Sequence, residues 1–159
     1  MTLLNKEPVK RAEKALKEFD SSMKVIELNS TARTALDAAN SLKCEVGAIV
    51  KSLLFRTEDT FLLCLVSGDK RCSLNKLKKI TLLKDISMAS PEDVKSQTGY
   101  TIGGVSPIGH LKNLKIFIDG SLKRFPNIFA AAGHPNCVFK INFENLIKIT
   151  KGEIKDIVE

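Results

Sequence analysis

The stretch from Gly99 to Gly109 reads Gly-Tyr-Thr-Ile-Gly-Gly-Val-Ser-Pro-Ile-Gly and holds four of the chain's nine glycines. Glycine has no Cβ, so such a segment lets another molecule reach the main-chain N–H groups, and loops that carry chemistry often have this composition. A long connection that needs left-handed turns would have it too. Neither phosphate fingerprint fits: there is no G-x-G-x-x-G and no G-x-x-x-x-G-K-[ST]. The loop alone marks a site and leaves the reaction open.

Lys51 is the most informative single residue. In the alternation of a strand over Val46 to Phe55, Lys51 shares a face with Ile49, Leu53 and Phe55, while Val50, Ser52 and Leu54 share the other. A lysine among apolar neighbours is costly to bury unpaired. Two readings fit: an edge-strand lysine whose stem runs out to water, or an ammonium aimed into a cleft to meet an anion. Ser106, His110 and Asp119 supply the residue types of a nucleophile, a base and an orienting acid. Ser106 stands in Val-Ser-Pro rather than G-x-S-x-G, and Pro107 lacks the N–H that often helps hold an oxyanion, so a triad is not expected. Paired carboxylates at helical spacing are absent from the apolar stretches, against glycosidase or carboxylate–metal chemistry. What remains is Lys51, the glycine loop and Gly133-His134-Pro135. Such a set could hold a phosphorylated or esterified ligand and polarise a carbonyl with main-chain N–H groups.

The totals bound the class. A chain of 159 residues, 43% hydrophobic, is about one domain, and we expect a single unit over residues 1–159. No apolar run approaches the roughly 18 residues that span a bilayer, and Met1 to Pro8 lacks a signal-peptide core, so a cytoplasmic protein with no membrane partner is expected. The charge of +7, from 25 Lys+Arg against 18 Asp+Glu, favours an anionic partner such as nucleic acid. The Gly68-Asp69-Lys70-Arg71 turn and the Lys76, Lys78 and Lys79 cluster are candidate phosphate contacts or solvated faces. Four cysteines without C-x-x-C spacing and only two histidines argue against a zinc site, and the thiols are read as reduced.

The elements that must position these residues follow from periodicity. Residues 8 to 19 form a helix with Val9, Ala12, Leu16 and Phe19 inside. Lys24 to Leu28 is a short strand. Ser30 or Thr31 caps a second helix with Ala32, Ala35, Leu36, Ala39 and Leu42 inside. Val46 to Phe55 and Phe61 to Ser67 are hydrophobic strands joined by a turn at Thr57 to Thr60, and they should lie mid-sheet. Ser73 caps a helix through Lys79. Ile86 to Ala89 is a strand, and Ser90-Pro91-Glu92-Asp93 starts a helix that ends at Gly99. Lys115 to Ile118 and Cys137 to Ile141 are strands, Asn142 caps a helix to about Ile149, and Ile154 to Val158 finishes the sheet. The class is α+β.

Ile49-Val50-Lys51-Ser52-Leu53-Leu54-Phe55 followed by Gly99 through Gly109, with Ser30 to Ala35, Ala89 to Glu92 and Ala132-Gly133, resembles the YbaK/ProX family of aminoacyl-tRNA deacylases, related to the editing insertion of bacterial prolyl-tRNA synthetases. The resemblance runs from about residue 8 to the C-terminus. It implies a mixed, largely antiparallel and partly barrel-like sheet surrounded by helices, and hydrolysis of the ester joining a wrong amino acid to tRNA. It further implies that Lys51 holds the terminal adenosine or its phosphate. Gly103, Gly104, Val105, Ser106 and Pro107 would position the ester carbonyl, with Gly133 lining the pocket. The family pattern has no metal and no cofactor, and the substrate's own ribose hydroxyl is thought to assist water. The third motif departs from the cysteine-specific branch, which carries a serine two places before this glycine and Arg-Gly after it. Here the run is Ala131-Ala132-Gly133-His134-Pro135-Asn136, which puts Cys-tRNA as the main substrate in doubt. His134, with Pro135, either shapes a small pocket or faces solvent in a turn.

Two functions are carried forward. One is a deacylase acting in trans on mischarged tRNA(Pro) bearing Ala, Cys, Ser or a similar small residue, with tRNA and a prolyl-tRNA synthetase as candidate partners. The other is a binding module for aminoacyl-tRNA or a nucleotide that performs no turnover.

Overall fold

The computed structural model describes residues 2–29 and 34–159. In chain order these form α1 (Glu7–Phe19), β1 (Ile26–Glu27), α2 (Ala35–Leu42), β2 (Ile49–Arg56), β3 (Phe61–Ser67), α3 (Leu74–Thr81), β4 (Ser87–Met88), α4 (Pro91–Thr98), β5 (Lys115–Asp119), β6 (Ile128–His134), β7 (Cys137–Ile141), α5 (Phe143–Thr150) and β8 (Glu153–Lys155).

Helix starts follow the capping chemistry of the sequence. The side-chain oxygens of Ser73, Ser90 and Asn142 accept from the N–H groups of Lys76, Asp93 and Asn145 at 3.2, 3.1 and 2.8 Å, each satisfying one orphan donor of a first turn. Helix α2 differs from expectation. Its cap is Thr34, whose hydroxyl accepts from Asp37 N at 3.1 Å; Ser30, Thr31 and Ala32 lie outside the described residues. Its buried residues are Ala38 and Ala39, and Leu36, expected inside, is 58% exposed. The stripe at helical spacing is Ala35, Ala38, Ala39 and Leu42, and Leu36 falls about 60° beyond its edge. Phe19, the last residue of α1, is likewise 39% exposed, while Val9, Ala12 and Leu16 are buried.

The strands form one sheet in the order β1-β7-β6-β2-β3-β5-β8, with β4 added beside β2. The β1/β7, β7/β6, β2/β3 and β2/β4 ladders are antiparallel, and the β6/β2, β3/β5 and β5/β8 ladders are parallel. The two hydrophobic strands are therefore central. Their hairpin is closed by Thr57 N donating to Thr60 O at 2.8 Å and Thr60 N donating to Thr57 Oγ1 at 3.1 Å. Period-two alternation gives β3 two core faces. Leu63 and Leu65 pack with Val50, Leu54, α1 and α5, whereas Leu62, Cys64 and Val66 pack with Phe55, Leu77 and Ile157. All four cysteines are free thiols. No helix among the described residues is long and apolar enough to cross a membrane.

One irregularity of this sheet positions the site. Strand β2 pairs with β3 along nearly its whole length. On its other edge it meets β6 only at Ile49↔Phe129 and Val50↔Ala130, and β4 only at Phe55↔Met88 and Arg56↔Ser87. Between those ladders the sheet is open.

Candidate functional site

A cavity of about 320 Å³ occupies this opening. Lys51 and Ser52 of β2, Gly103 and Val105 of the glycine loop, and Ala131 and Pro135 of the β6–β7 hairpin line it, with walls from Ala38, Met88, Val94 and Phe129. Met88 and Ile102, both well exposed, stand among the lining residues as well.

Lys51 is half-buried, and its ammonium donates to the Lys70 carbonyl at 2.5 Å. Burial pushes its pKa below the ordinary lysine value; the charges of Cys72 and Asp69 pull it back up, and Arg71 adds to the lowering. The turn that receives it is itself anchored. Arg124 grips both carboxylate oxygens of Asp69, at 3.0 and 2.7 Å, and donates to Ser67 Oγ at 2.9 Å. These hydrogen bonds hold the Asp69 carboxyl at about 2. Lys51 thus leaves two ammonium protons for a ligand. Of the α3 lysines, Lys76 is engaged within the fold, bonding Asp156 at 3.0 Å and the Val158 carbonyl at 2.7 Å.

The glycine loop is closed at its neck. Helix α4 ends at Gly99 with φ +81°. The Tyr100 hydroxyl donates to the Ile108 and Gly109 carbonyls at 2.8 and 3.2 Å. Burial pushes the phenol up to about 12, so it remains a donor. Arg11 of α1 ties the two ends together, Nε donating to Gly109 O at 2.8 Å and Nη2 to Thr98 O at 3.3 Å, with its guanidinium 4.6 Å from the Tyr100 ring centroid. Sequence reasoning assigned no role to Arg11 or Tyr100, because their partners are carbonyls brought near only by folding.

Within the loop the residues divide. Gly103 and Val105 face the cavity, and Pro135 touches the space where a Gly103 side chain would stand. Gly104 lies behind them: its N–H donates to Thr101 O at 2.9 Å and its carbonyl accepts from Gly133 N at 3.1 Å. Ser106 is fully buried, its hydroxyl accepting from Ile108 N at 3.4 Å, and Pro107 borders a separate groove with His110 and Lys112. His110 Nε2 meets the Ser106 carbonyl at 2.6 Å rather than its hydroxyl. Asp119 spends its carboxylate on Ser121 N and Ile157 N, both at 2.9 Å, so the three do not form a triad.

Gly133 does not line the cavity. Its φ is +93°, and a Cβ there would stand 2.7 Å from the Pro8 carbonyl, so glycine is what lets α1 seat its first turn on β6. His134 accepts from Asn136 N through Nδ1 at 3.0 Å in the β6–β7 turn; burial and the nearby Lys6 charge lower its pKa. The structure therefore gathers Lys51, Gly103, Val105 and Pro135 on one cavity. Gly104, Gly133 and His134 support it from behind, and Ser106 and Pro107 point elsewhere. Ser52 was passed over in the sequence. It lines the cavity, and its buried Oγ has no hydrogen-bond partner among the described residues. The same alternation that singled out Lys51 puts this polar residue between Val50 and Leu54. Among the described residues no three His, Cys, Asp or Glu side chains gather to hold a metal ion.

Comparison with known proteins bears on this site. The aminoacyl-tRNA editing domain family matches residues 29–149. The chain is 33% identical over 131 residues to the uncharacterised protein YwhH of Bacillus subtilis (strain 168), covering 82% of this chain and 83% of that one. It is 35% identical over 111 residues to the proline–tRNA ligase of Thermosipho melanesiensis, covering 69% of this chain and 20% of the ligase. The chain thus spans about a fifth of that much longer enzyme. A solved structure described as a candidate trans-editing enzyme for prolyl tRNA synthetase superposes with a TM-score of 0.92 at 36% identity, covering 97% of this chain and 98% of that one.

Proposed function

The chain belongs to the aminoacyl-tRNA editing domain family and is an ester hydrolase, and from that premise we propose that it removes a small wrong amino acid from tRNA(Pro), acting in trans. The observation that carries this reading is one cavity lined by Lys51 of β2 and by Gly103 and Val105 of the glycine loop. Lys51 meets the anionic 3′ end of the RNA. The excess of 25 basic over 18 acidic residues supplies long-range attraction to the rest of the polyanion. The ester carbonyl lies in the opening of the sheet, where fixed main-chain dipoles stabilise the oxyanion that forms when water adds. The bond to the ribose oxygen then breaks, releasing the free amino acid and a tRNA with its terminal hydroxyl restored. Among the described residues no serine or cysteine lining the cavity is hydrogen-bonded to a histidine base, and this supports water attack assisted by the adjacent ribose hydroxyl.

The cavity suits a small side chain. At about 320 Å³ it sits at the low end of ligand pockets, which run from roughly 300 to 1,000 Å³. Beside Lys51 and Ser52, its lining includes the apolar side chains of Ala38, Val94, Val105, Phe129 and Ala131. A second sieve of this kind is what a synthetase needs, because one methylene gives it only about 10–200-fold discrimination. A prolyl-tRNA synthetase is the natural partner, since it produces the mischarged species.

The test is a panel of tRNA(Pro) charged with Ala, Ser, Cys or Pro, incubated with wild type and with Lys51→Ala. The expected result is rapid loss of one or more small residues, sparing of Pro, and at least a hundredfold slower reaction for the variant. Salt-dependent tRNA binding without hydrolysis of any species would make the chain a binding module instead.

A further inference from the structure

The opening in the sheet has the shape of a missing residue in a β-ladder. Gly68 N donates to Ile49 O at 2.7 Å, which fixes the phase of the β2/β3 ladder. Ile49, Lys51, Leu53 and Phe55 exchange hydrogen bonds with β3, and the peptide groups of Val50, Ser52 and Leu54 turn to the opposite edge. On that edge Val50 meets β6, and the Leu54 carbonyl accepts from Ala89 N at 3.0 Å. Ser52 lies between them. The next step of the parallel ladder would bring the Ala131 carbonyl to the Ser52 N–H, but the pairing stops at Ala130, and β6 is irregular between Ala131 and His134. Neither peptide group of Ser52 has a ladder partner on this side among the described residues, and its buried hydroxyl is unpartnered as well. Main-chain groups within a sheet are normally paired, so an unmatched donor and acceptor on a cavity wall point to an occupant that brings the complements.

We propose that the aminoacyl group docks here as a one-residue strand, its carbonyl oxygen accepting from the Ser52 N–H and its α-ammonium donating to the Ser52 carbonyl. An aminoacyl ester carries one such acceptor and one such donor, spaced as in a peptide residue, which is the chemistry of strand addition reduced to its smallest unit. The assignment rests on the deacylase reading and names a specific main-chain donor for the scissile carbonyl, the Ser52 N–H. The Gly104 N–H cannot serve while it is bonded to Thr101 O. Ser52 is then a substrate-binding residue acting through its backbone, with a direct role in polarising the carbonyl. Docking in a ladder also fixes which way the substrate's Cβ points, so recognition depends on chirality.

The experiment uses the full chain and three non-hydrolysable probes in which the ester is replaced by an amide: 3′-(L-alanylamino)-3′-deoxyadenosine, its D-alanyl isomer, and the propionyl compound lacking the amine. Amide hydrogen exchange is followed by NMR at Lys51, Ser52 and Leu53. In the free protein Ser52 is expected to exchange at least tenfold faster than both neighbours. The L-alanyl probe should slow Ser52 by tenfold or more and shift its amide proton, whereas the D-alanyl and propionyl probes should leave it fast. The proposal is overturned if Ser52 is already as protected as its neighbours, if the L-alanyl probe fails to protect it, or if all three probes act alike. Hydrolysis of L-Ala-tRNA(Pro) is measured in parallel. Protection without hydrolysis would sink the deacylase reading and keep the docking geometry, and hydrolysis without protection would do the reverse.

Discussion

Replacing Gly133 by alanine is expected to destabilise the protein through two separable terms. The residue sits at φ +93°, where a side chain is strained by about 1–3 kcal/mol. The new methyl would also stand 2.7 Å from Pro8 C and O and 2.8 Å from Val9 N. All of these are backbone atoms of α1, so the helix must shift, at a further cost of about 1–3 kcal/mol. A total near 4 kcal/mol lowers Tm by about 8–16 °C in a domain of this size. Gly120→Ala is the control: its nearest neighbour to a Cβ is Ile154 Cγ2 at 3.9 Å and its φ is not positive, so it should stay within about 1 kcal/mol of wild type. Thermal melts and urea titrations of the three proteins measure the difference. Deacylation should fall in Gly133→Ala as well, because Gly133 N holds the Gly104 carbonyl and thereby the cavity-facing part of the loop. A Gly133→Ala protein within about 1 kcal/mol of wild type would refute the packing account and return Gly133 to consideration as a pocket residue.

Three further outcomes follow from the site. Tyr100→Phe removes the hydroxyl that joins the loop's ends at 2.8 and 3.2 Å; urea unfolding should show a loss of about 1–3 kcal/mol, with kcat reduced more than KM is raised. Lys51→Met relieves a desolvated charge, so its Tm should equal or exceed that of wild type while deacylation is lost. Since the native Lys51 pKa lies below that of the unfolded chain, wild-type stability also gains with rising pH between its depressed pKa and about 10.4. That gain should be absent from melts of the variant. Asp69 has the opposite sign of linkage: its carboxyl, held at about 2 by Arg124, stabilises the native state above the unfolded value of about 3.9 and loses that contribution as pH falls toward 2. In Arg124→Ala, Tm should drop less steeply between pH 4 and pH 2, and a drop equal to that of wild type would contradict the assignment.

What could be read from the chain alone was whatever depends on neighbours in sequence. Ser73, Ser90 and Asn142 cap helices because their hydroxyl or amide oxygens reach an N–H three residues on. Period-two alternation placed β2 and β3 and singled out Lys51. The same local rules misplaced Leu36, since which face of a short alanine-rich helix is buried depends on what packs against it.

The amino-acid order determined the elements, the glycine loop and a cation on a central strand. Only the tertiary structure decided that β6 leaves β2 at Ala130, that α1 must seat against Gly133, and that Gly103 and Val105 face the cavity while Ser106 turns into the core. Pairing between distant strands leaves no local periodicity to read. A gap in a sheet exists only once both of its borders are in place.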